Sequence, residues 1–120
     1  FQTTCQVTLE NEHLPFLYPN QYVWFTKDTK AIALAEEVVT PADTDLDAVA
    51  LVYDYVTSHV TYDWDKAKTV ENDYLPDVDE VLRSGKGICF DYAALMAAML
   101  RSQKIPTRLE IGYAGTTYHA

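Results

Sequence analysis

The stretch that decides the fold is ICFDYAALMAAMLRSQ, Ile88 to Gln103. Between Cys89 and Leu100 it is almost free of polar residues, so a helix built on it is apolar on every side, and such a helix belongs inside a domain. Its 16 residues fall short of the roughly 20 needed to span a bilayer. The segment is therefore read as a central buried helix, with an alanine-rich middle (Ala93, Ala94, Ala97, Ala98) that lets other elements approach closely.

Working outward, Lys104-Ile105-Pro106 ends this helix. Thr107 to Tyr113 alternates enough to be a strand, Ala114-Gly115-Thr116-Thr117 reads as a hairpin turn, and Tyr118-His119 opens the return strand. Upstream, Gly85-Lys86-Gly87 is a turn. Before it Asp77 caps a short helix carrying Val78, Val81 and Leu82, which Gly85 ends in left-handed geometry. Thr61 to Pro76 is aromatic, polar and aperiodic, and is read as a loop held by Tyr62, Trp64 and Tyr74.

Further back, the spacing after Thr44 predicts a helix with Leu46, Val49, Ala50, Tyr53, Val56 and Val60 along its apolar face. Asp45 and Asp47 lie in its first turn, where they oppose the positive end of the helix dipole, and His59 lies in its last. An earlier, shorter helix begins at Asp28 as cap and carries Ala31, Leu34, Ala35 and Val38 up to Pro41. Residues 1–25, broken by Pro15 and Pro19, read as an extended N-terminal segment, and residues 26–120 as the helical region and core of the same single domain. Helices first and antiparallel strands after give an α+β fold: N-terminal helices and a central buried helix packed against a small antiparallel sheet.

Composition narrows the partners. The chain of 120 residues has 9 Lys plus Arg against 18 Asp plus Glu, a net charge of −9. A phosphate backbone is met by a basic surface, so no nucleic-acid partner is expected. No apolar run is long enough for a membrane span. Two cysteines, Cys5 and Cys89, are too few for a disulfide scaffold, and neither has a CxxC partner. With His13, His59 and His119 widely scattered, no metal or other cofactor is expected. Asp63 and Asp65 are a weak cation signal and read as solvated loop carboxylates.

The chemistry-bearing position is Cys89. It follows a glycine-rich turn and opens the buried helix, where orphan amides and the positive dipole end favour a thiolate nucleophile. The competing reading is a small buried hydrophobe. A nucleophilic thiol needs a base, and His119 follows on the return strand of the hairpin, from which its ring could come back to the sulfur. Otherwise it is a surface or core residue.

Residues 79–120, with GKGICFDYAALMAAMLRSQKIPTR followed by IGYAGTTYHA, resemble the transglutaminase-like core of bacterial members of the transglutaminase superfamily, within the papain-like cysteine-protease fold. Trp24 to Tyr62 is more loosely similar to the helical region that precedes that core. The resemblance implies a Cys-His-Asp triad with Cys89 as nucleophile and His119 as base. The third member, an acid on the next strand, is expected beyond Ala120, so the sequence reads as a domain truncated at its C-terminus. Asp91, two positions along the helix from Cys89, points elsewhere and is not expected to replace it.

The Cys89 amide and an upstream aromatic, Tyr62 or Trp64, would meet the oxyanion; packing of the loop is the alternative role for either ring. The function expected is a cysteine enzyme acting on amide or peptide bonds of a protein or peptide substrate through a thioester, as transamidase or as protease or amidase. The alternative is a catalytically inactive fragment or protein-binding module. An exposed sheet edge is expected to pair two copies as a homodimer, and the acidic surface and missing initiator Met suggest an extracellular or cell-surface setting.

Overall fold

The computed structural model describes residues 2–120. Among the described residues, five α-helices and two small two-stranded sheets make an α+β fold. Its centre is α5, Cys89–Ser102, which packs on α1 (Lys30–Val39), α2 (Asp45–His59) and α4 (Val78–Ser84). Leu95 and Met99 are fully enclosed, and Ala94 and Ala98 let neighbouring helices close in on α5. Burying side chains the size of Leu95 and Met99 is worth about 1.5–3 kcal/mol each. The principal partners of the central helix are thus helices. The antiparallel pair expected to pack on it, β3 (Gly112–Ala114) with β4 (Thr117–His119), is a short hairpin with largely exposed strands.

The helix expected after Thr44 forms and is capped by that residue, whose side chain accepts from the Asp47 amide at 3.1 Å. Its buried face is shifted from the expected one. Ala48, Val52 and Val56 point inward, while Leu46 is 78% exposed and Ala50 and Tyr53 face solvent. Apolar residues surround this helix, so periodicity alone did not fix its inward side; the small Ala48 and the two valines fit the space beside α1 and α5.

The first helix is not capped by Asp28. Thr29 holds the cap position without a side-chain cap bond, and the amides of Lys30 and Ala31 instead donate to the two carboxylate oxygens of Asp79, each at 3.0 Å. Asp79 lies in the first turn of α4, so one carboxylate ties two helix N-termini together. Asp77 caps α4 through the Asp79 and Glu80 amides, and Gly85 closes it at φ +65°, both as the sequence predicts.

Two further differences bear on the site. The segment read as a loop contains β1 (Thr61–Tyr62) and α3 (Trp64–Thr69), the latter capped by Asp63, whose side chain accepts from the Lys66 amide. Six residues are too few to show a helical period. β1 pairs in parallel with β2 (Lys86–Gly87), inside the stretch read only as a turn. The strand expected from Thr107 is confined to Gly112–Ala114, because the Thr107 amide is taken by Phe16 O at 2.8 Å. That bond docks the N-terminal segment, which carries a single 3-10 turn at Leu14–Phe16 and inserts Val23 into the core. Among the described residues no helix is long and apolar enough to cross a membrane.

Candidate functional site

Cys89 is the first residue of α5 and is half-buried. Ile88 precedes it in extended geometry and has no acceptor in its side chain, so the helix start is organised from Asp91 instead. The Asp91 carboxylate reaches back to accept from the Ile88 amide at 2.9 Å, which is half of a capping box. The amides of Cys89 and Phe90 have no acceptor among the described residues. They are free donors at the positive end of a 14-residue helix.

Asp91 itself is completely buried and forms an ion pair with Lys66 at 2.8 Å. Tyr74 also donates its hydroxyl to this carboxylate, and Lys66 Nζ donates to the Tyr74 oxygen and lies 4.3 Å from the centre of its ring. Burial alone would lower the Lys66 pKa, but the hydrogen bonds to Asp91 and Tyr74 outweigh it and hold the ammonium above its usual range. Burial, then the bond to Asp91, pushes the Tyr74 phenol up, so it stays protonated as a donor. Every polar atom of this network is satisfied, which a buried charge requires.

Above the helix start lies a cavity of about 760 Å³. Cys89 and Phe90 form part of its floor, Tyr62 and residues 70–75 stand on one side, Gln21 and Tyr22 come from the N-terminal segment, and Ile111, Tyr118 and His119 come from the far end of the chain. The structure thus brings Cys89 and His119 to one cavity, although no hydrogen bond joins them. The His119 Nδ1 accepts from the Ala120 amide at 3.1 Å, an arrangement that leaves the proton of the neutral ring on Nε2. Among the described residues no carboxylate bonds this ring.

The two aromatic candidates separate. Tyr62 lines the cavity, and its hydroxyl has no partner among the described residues, whereas the hydroxyls of Tyr74 and Tyr92 are engaged by Asp91 and by Val60 O. Trp64 is 70% exposed, packs against the Tyr62 ring at 4.6 Å, and is not part of the cavity wall. His59 Nδ1 donates to Tyr55 O at 2.8 Å and the ring stacks on that of Tyr55, away from the site. Asp63 is occupied in capping α3, and no group of three or more His, Cys, Asp or Glu suited to a metal occurs among the described residues. Cys5 is a free, exposed thiol.

Sequence reasoning missed Lys66 and the role of Asp91. The spacing from Ile88 to Asp91 is that of a capping box and was the available signal for the carboxylate. Lys66 had none, since its helix was too short to be seen.

The family model of the transglutaminase-like superfamily matches residues 32–120, from α1 through the hairpin that carries His119. The UPF0252 protein MJ1282 of Methanocaldococcus jannaschii is 32% identical over 78 residues, an alignment covering 55% of this chain and 22% of that relative. The chain therefore spans less than a quarter of the length of the curated relative it matches. No solved structure matches. With the family model covering α5, Cys89 and His119 together, the chain belongs to the transglutaminase-like superfamily.

Proposed function

We infer that this chain carries the nucleophile and base of a cysteine acyl-transfer enzyme acting on carboxamide or peptide bonds. The observation that carries the reading is the meeting of Cys89, its two unpaired helix-start amides and His119 at one cavity large enough for a peptide side chain. In the reaction His119 takes the proton of the Cys89 thiol, the thiolate sulfur attacks the carbonyl carbon, and the oxygen, now negative, is met by the Cys89 amide and the free Tyr62 hydroxyl. The C–N bond breaks, the departing nitrogen takes a proton from the His119 imidazolium, and a thioester remains. Attack by an amine on that thioester gives transamidation, and attack by water gives hydrolysis. The papain-like arrangement is part of the same proposal.

The test is hydroxamate formation from a glutamine-containing peptide and hydroxylamine by the protein. Activity lost in Cys89→Ala, and reduced at least about a hundredfold in His119→Ala, supports the reading. Unchanged activity in Cys89→Ala ends it.

A second reading is a binding module without catalysis. It is favoured by the His119 ring, whose Nδ1 faces the Ala120 amide where a base of this kind needs an acceptor for an Nδ1 proton. On that reading neither substitution alters the protein's activity in cells.

A further inference from the structure

Tyr74 belongs to two layers at once. Its ring is part of the cavity wall and meets Phe90 edge-on at 6.4 Å, while its hydroxyl reaches beneath the floor to the buried carboxylate of Asp91. The same carboxylate accepts from Lys66 on α3 and from the amide of Ile88, the residue before Cys89. One enclosed anion therefore joins a helix, a wall and the turn that bears the sulfur.

Residues 70–75 form one side of that cavity, yet they are held by little else. Their backbone makes bonds only from the Val70 amide to Lys66 O and from the Tyr74 amide to Glu71 O among the described residues, and all but Tyr74 are exposed. A segment with few buried contacts and few backbone bonds opens at low free-energy cost unless a side chain pins it. Tyr74 is the side chain that does so. Its single proton goes to Asp91 and its oxygen accepts from Lys66, so the hydroxyl is not offered to a ligand.

We propose that Lys66, Tyr74 and Asp91 form a latch that holds the 70–75 wall against the turn bearing Cys89. Tyr74 and Asp91 are thereby positioning residues that set which electrophiles are seated at the sulfur, not how nucleophilic the sulfur is. The proposal rests on the reading of Cys89 as a nucleophile. It predicts that breaking the latch separates large reagents from small ones, because a small reagent needs no wall to be held.

The experiment uses the chain with Cys5→Ser, so that Cys89 is the sole thiol. Alkylation rates are measured with iodoacetamide and with benzyloxycarbonyl-phenylalanyl chloromethyl ketone, alongside hydrogen exchange of residues 70–75. In Tyr74→Phe, exchange of the two hydrogen-bonded wall amides, at positions 70 and 74, accelerates about tenfold or more. The rate ratio of the ketone to iodoacetamide falls about fivefold or more, with the iodoacetamide rate changed less than about twofold. Asp91→Asn, which keeps the volume of the side chain, shifts both quantities the same way. An unchanged ratio, unchanged exchange in the wall, or an equal loss for both reagents overturns the latch. A parent chain whose Cys89 resists both reagents overturns the nucleophile reading and the latch with it, whereas reactivity with an unchanged ratio sinks the latch alone.

Discussion

A Cβ added to Gly87 would lie 2.7 Å from the Cβ of Asp91, so β2 passes the first turn of α5 at a distance that only glycine permits. The contact atom is the root of a buried, fully bonded side chain and has no slack. Gly87→Ala must therefore push β2 or Asp91 aside. We expect a loss of about 1–3 kcal/mol in urea unfolding, the usual penalty for overpacking, with a change in the alkylation rate of Cys89. A variant as stable as the parent would show that the two segments separate freely.

Alkaline stability tests the same network from its charges. Lys66 and Tyr74 both have folded-state pKa values raised above their ordinary 10.5 and 10.0. The folded chain thus holds these protons more tightly than the unfolded one. Their contribution is complete below pH 10.0 and is lost as the pH rises through the raised values. The melting temperature should fall as the solution passes above pH 10.5, and the fall should be shallower in the double variant Lys66→Met, Tyr74→Phe. Thermal melts followed by circular dichroism across this range check it. Lys66 keeps 29% of its side chain exposed, so its share is smaller than that of a fully buried pair.

The cap that Asp79 supplies to α1 gives a comparison between two aspartates. Asp79→Ala removes the acceptor of both the Lys30 and the Ala31 amides and should cost about 1–2 kcal/mol. Asp28→Ala, at an exposed position whose side chain makes no cap bond, should change stability by less than about 0.5 kcal/mol. Equal losses in chemical denaturation would contradict the structure's assignment of the cap.

Arg101 provides a fourth test. Arg101 is 4% exposed; its guanidinium has no carboxylate partner among the described residues and donates to Thr107 O and Tyr18 O at 2.9 Å each, while burial lowers its pKa. Arg101→Met fills the space but leaves two carbonyls without their donor. A loss of about 2–4 kcal/mol is expected, together with faster proteolysis of the N-terminal segment that Tyr18 anchors. If that segment resists protease as well as the parent does, the arginine is not what fastens it.

These cases also show how far the residues disclosed the fold. The buried helix, its opening cysteine, the Asp77 cap and the Gly85 stop were legible because each depends on neighbours a few positions away. The cap on Lys30 was not, since its carboxylate lies 49 positions on. The inward face of α2 was hidden by apolar residues on several sides, and α3 by its six-residue length. At the site, Cys89 and His119 could be named in advance and reach a common cavity. The half-buried cation paired with Asp91 could not, because an isolated Lys66 in a polar stretch looks like any solvated lysine until the helix is folded against Asp91.

The parallel pairing of Thr61–Tyr62 with Lys86–Gly87 has a kinetic meaning as well. Parallel neighbours cannot be joined by a tight turn, so the intervening excursion through α3 and α4 must close before the ribbon exists. Such non-local closure raises contact order and delays assembly relative to the separate helices. The seat of the sulfur is consequently expected to take shape after the separate helices do, and the reactivity of Cys89 would report arrival at the native state later than helical circular dichroism does.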